Sequence, residues 1–509
     1  MKKGSIVRGT VDRLEYPNRG IVLTEDGEML EVKDVIPGQV VEAVVTRGRE
    51  GASKGRLRSI LKRSSMEQAE SPCPLSGRCG GCSYQTLPYE EQLKLKEGQI
   101  RRLLSKQITD EDFTWEGILP SPRSSGFRNK MEFTFGDEYP GGPMTLGMHV
   151  KNSFYDVVTV DCCNIVDEDY RKIVRSTLDF FVSRNIPYYH KKTKEGVLRY
   201  LIVRKAVHTG EIMVALITSK VDVSYIYAGF TEMLRELPLE GSIASVWHGM
   251  NDSVADTSYC EEIELLYGKP SITENVLGLT FEITPYSFFQ TNTLGAEVLY
   301  TKVRKYVLTA QSMEEEYAGQ ERQKRLESQE EQEGQEEQEK QEKQGEQEEQ
   351  EEQEEQDSIA SPSMRIFDLY SGTGTIAQVL SPAAKEIIGV EIVGEAVEAA
   401  KLNAERNGLD NCHFICGDVF KTLDSLPKGP DIVILDPPRE GVHPKAMTRI
   451  AEEFAPPYIV YVSCKATSFV DNLDIMMNHG YRPIRGCCVD MFPGTSHIET
   501  IVLLQRQNS

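Results

Sequence analysis

The stretch from Arg365 to Ile376, with the sequence RIFDLYSGTGTI, limits the possible folds of this 509-residue chain more than any other. Its first half holds apolar residues typical of a buried parallel strand. Its second half is a loop of small residues, Ser371 to Thr375, that leads into a helix-like segment. A strand, a glycine-rich turn and a helix N-terminus together form a nucleotide-type binding site. The sequence therefore predicts an α/β domain with a ligand at this turn.

The same alternation of strands and helices continues to the C-terminus and predicts a doubly wound, Rossmann-like sheet. The predicted strands cover residues 366–369, 386–391, 412–416, 431–436, 458–462, 481–489 and 498–504. Ligands of such sheets bind at the carboxyl ends of the strands. Glu391 ends the second strand, about twenty residues after the turn, where a carboxylate can bind two ribose hydroxyls. Asp418 follows the third strand, where a carboxylate can meet an adenine amino group. These features alone fit any dinucleotide-binding enzyme.

Three residues near the ends of other strands narrow the chemistry. Asp436 begins the turn Asp-Pro-Pro-Arg. A similar turn grips the exocyclic amine in amino-directed methyltransferases, so a DNA or protein N-methyltransferase is one alternative. Cys464 follows the fifth strand, and an amine, which is already nucleophilic, has no use for a thiolate. A thiolate can instead add to C6 of uracil and make C5 a nucleophile, and Glu499 is the candidate general base that removes the C5 proton. Singly, each could be a structural or surface residue. Together they favour uracil-C5 chemistry.

A low-complexity insert accounts for most of the acidity of the chain. The net charge is −22, and residues 314–357, with 20 acidic and 5 basic side chains, contribute −15 of it. The remaining chain can therefore still bind nucleic acid through local basic surface. The Glu/Gln repeats of residues 312–357 hold almost no apolar side chains and cannot bury a core. We expect disorder or a lone solvated helix there.

The first part of the chain predicts two further domains. Short alternating apolar runs separated by turns predict a small β-barrel of the OB type over residues 1–63. Its last part carries a basic run, which is either a phosphate-contacting face or a solvated edge. The run comprises Arg47, Arg49, Lys54, Arg56, Arg58, Lys62 and Arg63. Residues 64–284 read as a central α+β domain, whose arginines, such as Arg199 and Arg204, are either solvated or in reach of RNA phosphates.

Cysteines in the central region suggest a metal centre. Cys73, Cys79 and Cys82 lie in a glycine-rich loop, and Cys162 or Cys163 could supply a fourth thiolate. Zinc usually takes two close pairs of ligands. One cluster of three plus a remote cysteine therefore favours an iron–sulfur centre, with zinc as the alternative. Eleven cysteines in a chain without the apolar core of a signal peptide indicate metal binding or catalysis rather than disulfides. Because no apolar run reaches about 18 residues, we expect a cytoplasmic protein without a membrane partner.

Motifs along nearly the whole chain, except the insert, resemble the RNA 5-methyluridine (uracil-C5) methyltransferase family. They are CGGC, SFFQTN, DLYSGTGTI, GVE, the Asp436–Gly441 segment, YVSC and DMFPGTSHIE, in that order. The resemblance implies S-adenosylmethionine as cofactor, Cys464 as nucleophile and Glu499 as base. It also implies cofactor contacts by Gln290, Tyr370, Thr375, Glu391 and Asp436, and a substrate contact by Phe288. The cysteine loop resembles a four-iron, four-sulfur motif with Cys73, Cys79, Cys82 and Cys162 as ligands, and the barrel resembles an RNA-binding TRAM domain.

We therefore expect a multidomain enzyme that methylates uridine C5 in a structured RNA. Its methyltransferase domain would cover residues 285–311 and 358–509, interrupted by the insert at 312–357. The iron–sulfur motif and the TRAM-like barrel favour 23S rRNA as substrate over the alternative, tRNA, and we expect a monomer. Two departures from the family pattern could alter substrate fit. Lys465-Ala466 follows the cysteine where the family often has Asn-Pro, and Gly494 stands where it often has His.

Overall fold

A closed five-stranded barrel forms the N-terminal domain, as predicted. The computed structural model describes residues 1–47, 53–109, 111–253, 255–260, 262–340 and 364–507. The barrel has the strand order β1-β2-β3-β5-β4. Its strands are β1 (Ile6–Glu15), β2 (Arg19–Thr24), β3 (Met29–Lys33), β4 (Val40–Arg47) and β5 (Ser53–Lys62). Side chains alternate between interior and solvent, and Val11, Leu30 and Val41 fill the interior. Arg49 of the basic run lies outside the described residues.

The central domain is a mixed seven-stranded sheet with two helices packed on it. The strand order is β13-β12-β11-β10-β7-β8-β9, in which only β11 and β12 run parallel. The elements are β7 (Lys130–Asp137), β8 (Met144–His149), β9 (Val157–Thr159), α2 (Glu168–Ser183), β10 (Leu198–Lys205), β11 (Glu211–Thr218), α3 (Tyr227–Glu236), β12 (Ser242–Met250) and β13 (Ile263–Gly268). Phe181 of α2 and Phe230 of α3 pack against Phe133 of the sheet in one apolar core. A separate hairpin, β14 (Ile272–Val276) and β15 (Leu279–Ile283), follows.

The C-terminal domain is an eight-stranded sheet with the order β18-β17-β16-β19-β20-β22-β21-β6. Its elements include α1 (Tyr89–Leu104), β6 (Thr114–Leu119), β16 (Arg365–Leu369), α5 (Thr375–Leu380), β17 (Glu386–Glu391), α6 (Gly394–Arg406), β18 (Cys412–Cys416), α7 (Val419–Thr422), β19 (Ile432–Leu435), α8 (Pro444–Arg449), β20 (Tyr458–Ser463), α9 (Ala466–Asn478), β21 (Tyr481–Val489) and β22 (Glu499–Arg506). The five strands from β18 to β20 are parallel, as the doubly wound prediction requires. The sequence prediction put α1 and β6 within the central region of residues 64–284. In the structure β6 pairs with β21 and α1 packs in the C-terminal core.

One long helix connects the central sheet to the insert. Helix α4 (Thr293–Lys340) is buried through its first half, where Leu299, Val303 and Ala310 join the core of the C-terminal domain. It then continues into the predicted insert of residues 312–357, because Glu and Gln favour helix. Residues 341–357 of that insert lie outside the described residues. None of the helices in the described part of the chain is both long enough and apolar enough to cross a lipid bilayer.

Candidate active site

The glycine-rich turn after β16 presents a cradle at the carboxyl end of the sheet. Tyr370, Gly372 and Gly374 adopt positive φ angles of 70°, 54° and 71°. Only glycine fits at position 374, because a Cβ there would approach Phe414 Cζ to 2.5 Å. The amide of Gly372 donates to Glu391 Oε2 at 3.0 Å. The turn and the predicted ribose-binding carboxylate are therefore in direct contact.

The segment before α4 covers this turn from the other side. The Thr373 hydroxyl donates to the carbonyl oxygen of Phe288 at 3.4 Å and lies 3.4 Å from the Thr375 hydroxyl. Phe288 itself is 64% exposed. The Gln290 carbonyl accepts from Asn129 Nδ2 at 2.9 Å, which ties the segment to the central domain. The structure thus brings Phe288, Gln290 and Thr375 to one side of the turn.

Two further residues extend the cradle beyond Glu391: one was predicted from the sequence and the other was not. Asp418 follows β18 as predicted, and its carboxylate also caps α7 by accepting from the Lys421 amide at 3.2 Å. Ile392, which the sequence reasoning missed, is 63% exposed directly after Glu391. An exposed apolar side chain beside a ribose-type carboxylate suits contact with a flat ring. The sequence signal that could have identified this residue was an isoleucine directly after the acidic residue at the end of a predicted strand.

Three carboxylates interact with one another beside the turn. Asp368 is fully buried; its Oδ2 accepts from the Ala377 amide at 3.0 Å, and its Oδ1 has no partner among the described residues. Burial, and next the Asp436 charge, raise the pKa of Asp368 to about 7. Burial raises the pKa of Asp436 to about 7. Glu499 is 4% exposed, and burial, followed by the Asp436 charge, raises its pKa to about 8. All three carboxyl groups therefore stay protonated at pH values well above those at which an exposed carboxyl group ionises.

Cys464 lies at the same edge, after the buried strand β20. Burial raises the pKa of its thiol to about 11, with further increases from Glu499 and Asp436 and an opposing effect from Arg439. The predicted nucleophile, the predicted base, Asp436 and Arg439 therefore lie near enough to one another to interact electrostatically. A thiol and a buried carboxylate in this arrangement can perform nucleophilic addition followed by proton removal.

Two tyrosines that the sequence reasoning did not select also reach this site. Tyr300 of α4 hydrogen-bonds to Thr375, and its ring is close enough to Asp436 to interact electrostatically. Tyr16 comes from the turn after β1 in the N-terminal barrel, and its hydroxyl oxygen accepts from the Ala466 amide at 3.2 Å. No local sequence signal marks either residue, because each reaches the site through packing between elements far apart in the chain.

The predicted cluster cysteines surround a cavity of about 480 Å³. Cys73, Cys79 and Cys82 line it, and Cys163 rather than the predicted Cys162 completes the set of thiols. Donors approach two of the sulfurs at 3.4 Å, the Gly81 amide at Cys79 Sγ and the Gln85 amide group at Cys82 Sγ. Within the described ranges no three Cys, His, Asp or Glu side chains converge as they would on a single metal ion.

The structure separates exposed basic residues from buried ones. Lys54, Arg56 and Arg58 alternate along β5 and point outward from the barrel. Arg199 and Arg204 are each 4% exposed. Arg199 donates to the Ser253 carbonyl at 2.9 Å, and Arg204 donates to the Ser287 carbonyl at 2.6 Å. The two buried arginines therefore hold loops in place, and of these residues only those on β5 remain available for phosphates.

Comparisons with known proteins agree with this architecture. Residues 360–471 match a family described as a methyltransferase domain. A protein of Clostridium tetani named an uncharacterized RNA methyltransferase is 39% identical over 511 residues, covering 100% of this chain and 99% of that protein. One of Caldanaerobacter subterraneus with the same description is 40% identical over 506 residues, covering 99% and 100%.

A solved structure shares the fold over nearly the full length. It is the Pyrococcus abyssi tRNA (uracil-54, C5)-methyltransferase in complex with S-adenosyl-L-homocysteine. The TM-score is 0.69 at 23% identity, covering 98% of this chain and 100% of that one. The two bacterial relatives align with this chain over its full length, so the similarity includes the barrel and the central domain as well as the methyltransferase domain. The chain therefore belongs to the RNA methyltransferase family.

Proposed function

We propose that this protein transfers a methyl group from S-adenosylmethionine to C5 of a uridine in structured RNA. The observation that carries the proposal is the pairing of Cys464 with the buried carboxylate of Glu499 beside the glycine-rich turn. An amino-directed methyltransferase needs neither a thiol nor a base positioned next to it. Because the site lies at the edge of a sheet, the target base must be unpaired or flipped out of its stack.

The cradle at the turn suits the proposed cofactor, which supplies an electrophilic methyl group when bound. Glu391 would bind the ribose hydroxyls, Ile392 would contact the adenine ring, and Asp418 would accept from the adenine amino group. The other predicted contacts, Gln290, Tyr370, Thr375 and Asp436, would hold the amino-acid part. The support is geometric: the Gly372 amide already contacts Glu391, and the Phe288 segment closes over the turn.

Bond changes in the proposed reaction balance without any further reactant. The Cys464 thiolate forms a bond to C6 of uracil, and the C5–C6 double-bond electrons move onto C5 and the C4 carbonyl. C5 would then attack the methyl group of bound S-adenosylmethionine, whose methyl–sulfonium bond would break to release S-adenosylhomocysteine. Glu499 accepts the proton from C5, the C5–C6 double bond re-forms, and the C6–sulfur bond breaks to release the thiolate. Phe288 would stack on the base during these steps.

The cysteine-lined cavity supports the proposed four-iron, four-sulfur cluster, with one change of ligand. Cys163 lines the cavity with Cys73, Cys79 and Cys82, so we propose Cys163 rather than Cys162 as the fourth ligand. The cluster would have a structural role. The Ser83 and Tyr84 amides, directly after Cys82, donate to the Gly494 carbonyl at 2.9 Å, in the loop before Glu499. Iron and sulfide analysis of Cys162→Ser and Cys163→Ser should show cluster loss only in the second variant.

The decisive experiment identifies the modified nucleoside. Purified protein and methyl-labelled S-adenosylmethionine are incubated with unmodified 23S rRNA and, separately, with bulk tRNA, and each RNA is digested to nucleosides. Label in 5-methyluridine from 23S rRNA is the expected result, and Cys464→Ala should abolish it. The same nucleoside from tRNA alone would keep the chemistry and change the substrate. Label in a methylated adenosine or cytidine would contradict the proposal.

A further inference from the structure

A tyrosine from the N-terminal barrel lies inside the methyltransferase core. Tyr16 follows β1 and is 7% exposed, packed among residues of the C-terminal domain. Its hydroxyl oxygen accepts a hydrogen bond from the Ala466 amide at 3.2 Å. Ala466 is the first residue of α9 and lies two positions after Cys464. One hydrogen bond therefore links the barrel to the turn that carries the proposed nucleophile.

The turn that presents Tyr16 is fixed on both sides. Within the turn, Arg19 donates to the Tyr16 carbonyl through Nε at 3.2 Å and Nη2 at 3.0 Å. The Asn18 amide donates to Gln99 Oε1 of α1 at 3.1 Å, and the Tyr84 hydroxyl donates to Asn18 Oδ1 at 2.9 Å. Tyr16 is thus positioned by contacts that do not involve the catalytic residues.

The remaining hydrogen of the Tyr16 hydroxyl is free to point at the site. The hydroxyl uses an oxygen lone pair on the Ala466 amide, and it donates to no acceptor among the described residues. Tyr16 interacts electrostatically with Glu499 first, then with Cys464 and Arg439. The other charged or titratable groups that interact with Cys464 are Asp436 and Tyr461. Of all these groups, Tyr16 is the one that also holds the backbone next to the nucleophile.

We propose that Tyr16 is a positioning residue of the active site, which anchors the turn after Cys464 through the Ala466 amide and, once the Cys464 thiol has ionised, donates its hydroxyl hydrogen to the thiolate. This inference rests on the proposed function and extends it: the barrel completes the catalytic site in addition to binding RNA. A donor to a thiolate stabilises the charged form. A fixed backbone holds the sulfur at the distance from which it can attack C6.

The test compares two buried tyrosine hydroxyls in the full-length protein. Tyr16→Phe removes the hydroxyl that reaches Ala466, and Tyr481→Phe removes one that donates to the Pro456 carbonyl at 2.8 Å, at the end of β20 opposite Cys464. Alkylation of Cys464 by iodoacetamide is followed by mass spectrometry from pH 8 to pH 12, because burial raises the pKa of this thiol to about 11; the readout needs no RNA. Tyr16→Phe should move the midpoint up by about one pH unit, which is about tenfold slower alkylation below the midpoint. Tyr481→Phe should leave the midpoint in place.

Turnover with RNA gives the second readout. Tyr16→Phe should lower kcat about tenfold and leave the KM for RNA unchanged, because it alters none of the exposed basic residues on β5. A wild-type alkylation midpoint in folded Tyr16→Phe would overturn the inference. Wild-type protein that methylates no RNA, together with the predicted alkylation shift, would overturn the proposed function and leave the Tyr16 inference standing.

A second variant keeps the inference testable if Tyr16→Phe fails to fold. Ala466→Pro removes the amide donor, and proline is tolerated at the first position of a helix. Lys465 before it already has an extended conformation, with φ −143° and ψ 92°. Ala466→Pro should shift the alkylation midpoint upward as well, and Tyr16→Phe should add little in that background. Additive shifts would contradict the proposed contact.

Discussion

Glu499 combines near-complete burial with a strongly raised pKa. It is 4% exposed, and burial raises the pKa of its carboxyl group to about 8. Strongly shifted pKa values of this kind cluster at functional sites. Gln at this position keeps the size and removes the ability to accept a proton. The residue is therefore the most informative single site for the proposed mechanism.

Replacing Glu499 by Gln should trap the protein on its RNA. Methyl transfer can precede the blocked proton removal, so the Cys464–C6 bond should persist. We expect a denaturation-resistant complex of Glu499→Gln with labelled RNA on a gel and a loss of turnover of at least about a hundredfold. The double variant with Cys464→Ala should show no complex. If neither this variant nor wild type on 5-fluorouridine RNA gave an adduct, covalent catalysis would be ruled out.

The raised pKa values predict opposite pH trends for activity and stability. Glu499, with a pKa of about 8, must be ionised to act as base, so kcat should rise from pH 6 to pH 9. In the unfolded chain it ionises near 4.5, so between 4.5 and 8 the folded protein retains a proton that the unfolded chain has lost. The free energy of unfolding should therefore fall as pH rises through this window. Glu499→Gln should flatten that fall, as measured by urea unfolding. An equal pH slope in both proteins would contradict the assignment.

At the level of elements, α1 holds the loop that precedes the proposed base. Lys96 Nζ of α1 lies 2.6 Å from Asp490 Oδ1, and both side chains are fully buried. Lys96 also donates to the Phe492 carbonyl at 3.0 Å, and the Phe492 amide donates to Asp490 Oδ1 at 3.1 Å. The two ends of a short segment before β22 are thus tied to one helix.

Breaking this buried pair should cost both stability and activity. Lys96→Met leaves the Asp490 charge unpaired, and we expect a loss of about 3–5 kcal/mol in the free energy of unfolding, measured by urea titration. The double variant Lys96→Met/Asp490→Leu should regain much of the stability and little of the kcat, because the loop anchors are gone. Lys94→Met, on the same helix, breaks an exposed pair with Glu91 and should leave the free energy of unfolding nearly unchanged. A full recovery of kcat in the double variant would show that the loop needs no anchor.

Elements with a local signal were predictable, and elements set by distant pairing were not. The buried apolar runs after residue 358 gave strands whose ends lie within about two residues of the observed ones, because burial on both faces leaves a continuous apolar pattern. The sequence of β6 does not indicate which sheet the strand joins, because its partner β21 is more than 360 residues away. The choice of a fourth cysteine posed the same problem: Cys162 and Cys163 are adjacent in sequence, and in the structure Cys163 lines the cavity while Cys162, whose pKa burial raises, also lies near enough to Cys73 and Cys79 for their charges to raise that pKa further.

At the level of the whole molecule, the sequence predicted three regions but not how they meet. The barrel, the central sheet and the methyltransferase sheet each follow from their own residue patterns. Their contacts depend on single side chains such as Tyr16 and Asn129, which reach across domains. A lone tyrosine in a turn carries no pattern, so its role appears only when α9 and the barrel are seen together. The proposed catalytic site therefore depends on contacts from the barrel and the central domain as well as on the C-terminal domain.

The barrel should bind RNA through β5, separately from its contact with the catalytic turn. Lys54 and Arg58 make only long contacts with carboxylates, 3.6 Å to Glu31 and 3.8 Å to Glu42, so their charges remain available to phosphates. Changing Lys54, Arg56 and Arg58 to Ala should weaken RNA binding and reduce the slope of log affinity against log salt by about 2–3, at about 0.7–0.9 per phosphate contact. Fluorescence anisotropy at several salt concentrations measures this slope.

Steady-state kinetics distinguish the role proposed for the exposed basic residues of β5 from the role proposed for Tyr16. The triple alanine variant should raise the KM for RNA and keep kcat at saturating RNA, whereas Tyr16→Phe should lower kcat at constant KM. The variant Lys54→Arg/Arg56→Lys/Arg58→Lys preserves the charge and should keep the wild-type salt slope. An unchanged slope in the alanine variant would mean that the outward residues of β5 are a solvated edge. RNA would then have to reach Cys464 across other basic groups, such as Arg439 beside the nucleophile.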